Sequence, residues 1–76
     1  MKEMKVMTIT VWRLRDQAGW PSHCVVSERD GRWRLIVQRG RTVLLSERCA
    51  SDGAALERST EIWRALRAKG WTEPEH

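Results

Sequence analysis

The sequence predicts a small α+β domain: an antiparallel sheet of three or four strands, with one C-terminal helix packed across one face. Three observations carry this. Asp30-Gly31 sits between two runs of strand-forming residues, the apolar positions between 54 and 66 recur at helical spacing, and the chain has only 76 residues. That length accommodates one domain, residues 1–76, with one compact core and no room for a deep pocket. The ends, about 1–4 and 73–76, are polar and are expected to be flexible.

The first element has two readings. Val6 to Val11 is rich in β-branched residues, which favours a strand near 6–12 followed by a turn or short helix. Val11, Leu14 and Ala18 also have helical spacing, and Gly19-Trp20-Pro21 has the composition of a helix stop. The strand is preferred. A helix would give the order α-β-β-β-α of double-stranded RNA-binding domains. The last helix would then begin Asp52-Gly53-Ala54-Ala55, without the lysine cluster of those domains, and element order alone carries no function.

The middle of the chain reads as a meander of strands at 24–28, 32–38 and 41–48. Asp30-Gly31 suits the positive φ angles of a two-residue hairpin turn. Arg39-Gly40 marks the second turn. With two residues in the first turn, Arg29 falls opposite Arg32, Val26 opposite Leu35 and Cys24 opposite Val37. One face then carries Cys24, Val26, Trp33, Leu35 and Val37, and the other Val25, Ser27, Arg32, Arg34 and Ile36. Alternation places Val43 and Leu45 on one face and Leu44 on the other. Both faces are therefore partly apolar, and a single helix covers only one. The second is left for the N-terminal segment, another subunit or a partner.

The helix is expected at about 53–69. Ser51 or Asp52 caps its start. Ala55, Leu56, Ile62, Trp63 and Leu66 form its apolar face. Gly70 ends it, with Trp71 as the apolar contact of the cap.

No catalytic or metal-binding constellation emerges. Ser22-His23-Cys24 is the one cluster of reactive types, but neighbours in a strand point to opposite faces, so His23 does not activate Cys24. Two Cys and two His lack the spacing of a zinc site, and no cofactor motif is present. Cys24 and Cys49 fall on the order of 15 Å apart in the meander, too far for a disulfide. Two free thiols, with no signal-type apolar core and no membrane-length apolar run, point to the cytoplasm.

Charge gives the functional expectation. Net charge is +4, and 11 of the 14 basic residues are Arg. The codon bias of a GC-rich genome accounts for the same skew. Between residues 29 and 41 there are five arginines and one acid, Asp30. Arg29, Arg32, Arg34, Arg39 and Arg41, with Trp20 as an exposed loop aromatic, are the candidate nucleic-acid contacts. A solvated strand surface that blunts the hairpins against aggregation would look the same. The expectation is a non-catalytic binding module, associated with nucleic acid. The alternative is a protein-interaction module or homodimer that buries the second sheet face.

Overall fold

The computed structural model describes residues 6–74. Residues 1–5 and 75–76 lie outside the described residues, and with them the first expected flexible end (1–4) and the second half of the other (73–76), His76 included. Four strands are followed by one helix: β1 Met7–Arg15, β2 Pro21–Arg29, β3 Arg32–Arg39, β4 Thr42–Cys49 and α1 Asp52–Ala68. The strands form one antiparallel sheet in the order β1-β2-β3-β4.

The N-terminal ambiguity resolves as a strand that runs past the expected end at residue 12. Pairing with β2 shifts between Thr10 and Trp12, so Ile9, Trp12 and Leu14 share the helix side, while Ala18 lies in the exposed loop that follows. No short helix follows. The Asp16 side chain accepts from the backbone N–H of Ala18 (3.0 Å) and of Trp20 (2.8 Å), closing the loop that returns the chain to β2. Pro21 opens β2, a strand position where its missing N–H is tolerated.

The first hairpin has the expected register, with Arg29 opposite Arg32 and Cys24 opposite Val37. Asp30 (φ 54°) and Gly31 (φ 74°) supply the two left-handed residues of the turn. The third strand departs from simple alternation. Val37 pairs with Leu45 but Gln38 pairs with Val43, so Leu44 is an extra bulged residue. Val43 and Leu45 therefore lie on opposite faces, not on the same one.

The helix begins at Ser51, whose Oγ accepts from the Ala54 N–H at 3.1 Å. It ends at Gly70 (φ 97°), where the Gly70 N–H reaches the Arg67 carbonyl and the Trp71 N–H the Leu66 carbonyl. α1 contacts all four strands from one side. Beneath it, Leu14, Cys24, Val26, Leu35, Val37 and Ala55 are buried, with Trp12, Leu45, Cys49 and Ile62 packed around Cys24, Leu35 and Val37. Ala55 and Ser59 are the buried residues of the helix, and these small side chains let it approach closely. Leu56, expected on the buried face, is 51% exposed, because Ser59 takes the inward position. Trp12 fixes the contact by donating its indole N–H to the Ser59 carbonyl at 3.0 Å. Trp33 shares the helix side of the sheet but stays half-buried, outside that cluster.

Candidate polyanion site on the open sheet face

Residues paired across strands share a face. Reading the register outward from the core therefore defines the face that α1 does not cover. Val25 and Ile36 lie at its centre, opposite each other and half-buried. Around them stand Arg13, Arg29, Arg32, Arg34 and Arg48, with hydroxyls from Thr8, Thr10, Ser27 and Ser46. Among the described residues, no Asp or Glu occupies a position on this face.

Two pairs of arginines oppose one another directly: Arg29 with Arg32 across the first hairpin, and Arg34 with Arg48 across β3 and β4. Like charges directly opposite each other are unfavourable in a sheet. Arg34 donates to Ser46 Oγ at 2.8 Å. Arg32, Arg34 and Arg48 have no carboxylate partner among the described residues.

These residues line a depression of about 860 Å³ at the end of the sheet nearest the Asp30-Gly31 turn. Val6, Ser27, Arg29, Arg32, Arg34 and Arg48 form it from the open face, and the turn residues Asp30 and Gly31 close its end, so one carboxylate, that of Asp30, stands at its margin. Trp33 and Cys49 border it, but their register assigns their side chains to the helix side.

The six expected contact residues divide into two groups. Arg29, Arg32 and Arg34 converge on the depression. Arg39, Arg41 and Trp20 lie at the other end of the sheet, where the Gly40 N–H bonds the Pro21 carbonyl at 3.0 Å. Trp20 is exposed there, at 61%. Arg39 is held 3.6 Å from Asp16, so its charge is partly neutralised.

Arg48 was not among the expected residues, and the bulge explains why. Counting from a two-residue second turn without a bulge would set Glu47 opposite Arg34. The extra residue at Leu44 moves Glu47 to the helix side and puts Arg48 in its place. There Glu47 receives both the Nε (2.9 Å) and an Nη (3.1 Å) of Arg58 from α1. That fork holds the Glu47 carboxyl below its usual range, and the guanidinium above its own. The signal in the sequence was the adjacent Leu44-Leu45 pair, which breaks strict alternation.

The reactive cluster is split by the sheet. His23 lies on the open face and Cys24 beneath the helix. Cys24 is fully buried, and loss of solvent, with a smaller contribution from Cys49, pushes its thiol up to about 11. It is therefore a thiol at neutral pH, not the nucleophilic thiolate. Cys49 pairs with Trp33, four residues along β3 from the Val37 partner of Cys24, and both cysteines are free.

No helix among the described residues is long and apolar enough to cross a membrane. Comparison with protein-family models, curated proteins and solved structures finds no match. The geometry of the open face is thus the main guide to function.

Proposed function

We propose that the open face of the sheet binds the phosphate backbone of a nucleic acid, without catalysis and without reading sequence. The observation that carries this is the pairing of Arg34 with Arg48, next to Arg29 and Arg32, on a face where no described strand position holds a carboxylate. Facing guanidiniums repel each other in the free protein, and an anion bound between them removes that penalty and gains charge-assisted hydrogen bonds. The sheet's two tryptophans, Trp12 and Trp33, belong to the helix side, so the strands offer no indole on the open face on which a base could stack. Backbone contacts position a protein but carry no base information. The reading places the protein in a reducing cytoplasm, where Cys24 and Cys49 remain thiols.

Fluorescence anisotropy with labelled duplex and single-stranded oligonucleotides tests this. Binding is expected to be micromolar or weaker at low salt and nearly independent of sequence. Four phosphate contacts predict a loss of roughly 150-fold on duplex between about 50 and 200 mM salt. No anisotropy change with either nucleic acid at low salt would sink the reading.

Burial of the same face by a protein partner or a second copy is the second reading. It draws support from Val25 and Ile36 and from Val43, 52% exposed. Face-to-face pairing of two copies would bring the two sets of arginines together, so this reading fits an acidic partner better than self-association. Such a partner would dissociate at high salt, whereas an apolar contact would persist.

A further inference from the structure

We propose that two copies of the chain associate through the free edge of β1, pairing antiparallel into one eight-stranded sheet. β1 is the end strand of the sheet. At its C-terminal end the edge is already occupied: Arg15 and Thr72 exchange backbone hydrogen bonds of 2.7 and 2.9 Å. From Met7 to Thr10, no second strand pairs with it among the described residues. An edge of unpaired N–H and C=O groups is a template for another extended strand.

The two edges of the sheet differ. β4 carries the Leu44 bulge and the charges of Glu47 and Arg48, features that discourage edge pairing. β1 has no charge, proline or glycine between Val6 and Val11, and its bulge lies beyond Thr10. Val6, Met7 and Ile9 are 55%, 47% and 50% exposed.

A second copy is the occupant that fits. The edge accepts an extended, uncharged, β-branched segment, and Val6–Val11 is such a segment. With Thr8 on a twofold axis, Met7 of one copy meets Ile9 of the other on the helix side, and Val6 meets Thr10 on the open side. Each side chain keeps its face, as pairing requires. The net charge of +4 opposes association, but none of those charges lies in the paired segment. A twofold axis normal to the sheet puts both helices on one side and both arginine faces on the other. The dimer would then present one continuous basic surface.

The experiment is sedimentation equilibrium of the full chain, without nucleic acid, at about 0.5 M salt, where the arginine faces are screened. A dimer is expected. Ile9→Lys should weaken it by about a hundredfold or more, because each substitution acts twice, with circular dichroism unchanged. Thr8→Cys supplies an independent readout. Mild oxidation should link two copies through residue 8, since directly paired Cα atoms lie about 4.5–5.5 Å apart. A chain that stays monomeric at about 0.1 mM, a range that detects even weak dimers, overturns the proposal. So does a dimer that survives Ile9→Lys, or a Thr8→Cys protein that does not cross-link. Because nucleic acid is absent, failure here leaves the phosphate-binding reading intact, and the converse also holds.

Discussion

The two faces of one sheet, built from alternate residues of the same strands, are organised by opposite rules. On the helix side Cys24, Val26, Leu35 and Val37 are buried, and the carboxylate paired with Leu35, that of Glu47, is satisfied by Arg58. On the open side arginines face arginines. One face removes apolar area from water and supplies most of the stability. The other keeps like charges together at a cost to stability, a cost that the proposed phosphate binding would offset. Substitutions on the two faces should therefore separate folding from function.

The largest effect belongs to the helix side. Leu35 is fully buried in the small cluster beneath α1. Leu35→Ala should destabilise by about 2–5 kcal/mol, enough to unfold much of so small a domain. Urea denaturation would measure it. A loss under about 1 kcal/mol would mean that the helix does not seal this face as described.

Cys24 gives the next effect, through pH. Its folded thiol stands near 11, above the 9.0 of an ordinary cysteine. Because the folded value is raised, the contribution is fully present below the unfolded value. It is lost as pH rises through the folded one. Stability should fall between about pH 9 and 11, by roughly 2–3 kcal/mol at most. Denaturant midpoints across that range, compared with Cys24→Ala, isolate the effect. The variant is expected to be less stable at neutral pH but to lack this portion of the decline.

The helix contact is tested more gently by Trp12→Phe, which keeps most of the ring and deletes the indole donor to Ser59. A cost of about 0.5–1.5 kcal/mol is expected. Unchanged stability would assign the position of α1 to packing alone.

The difference between the faces was only partly legible in the sequence. The Asp30-Gly31 turn fixed two strands in register, so the faces of β2 and β3, and with them Arg32 and Arg34, could be read directly. The Ser51 cap and Gly70 placed the helix to within a residue of its observed start and end. What escaped were the two bulges. Each inserts one residue without a proline or glycine to announce it, and each exchanges every later side chain between faces. The bulge in β1 put Ile9 and Trp12, three residues apart, on one face. The bulge at Leu44 hid Arg48 and left Glu47 as the apparent neighbour of Arg34. Charge density, in turn, counted Arg39, Arg41 and Trp20 with the site. Only the position of the turns at opposite ends of the meander separates them.

The smallest predicted change in stability is also the one that addresses the bulge. Arg48→Glu restores the opposite-charge partner for Arg34 that an unbulged strand would have supplied. On an exposed face a cross-strand pair of opposite sign, replacing one of like sign, should raise stability by about 0.2–1 kcal/mol. The same substitution removes one of the proposed phosphate contacts and sets a carboxylate beside a second. Nucleic-acid affinity at low salt should therefore fall tenfold or more, and the salt dependence should flatten by one to two counterions. Stability and binding are thus expected to move in opposite directions from one substitution. If Arg48→Glu stabilises the domain and leaves affinity unchanged, the facing arginines are a tolerated defect of an ordinary solvated surface. If it costs both stability and affinity, the two guanidiniums are held apart by contacts that the register alone does not describe.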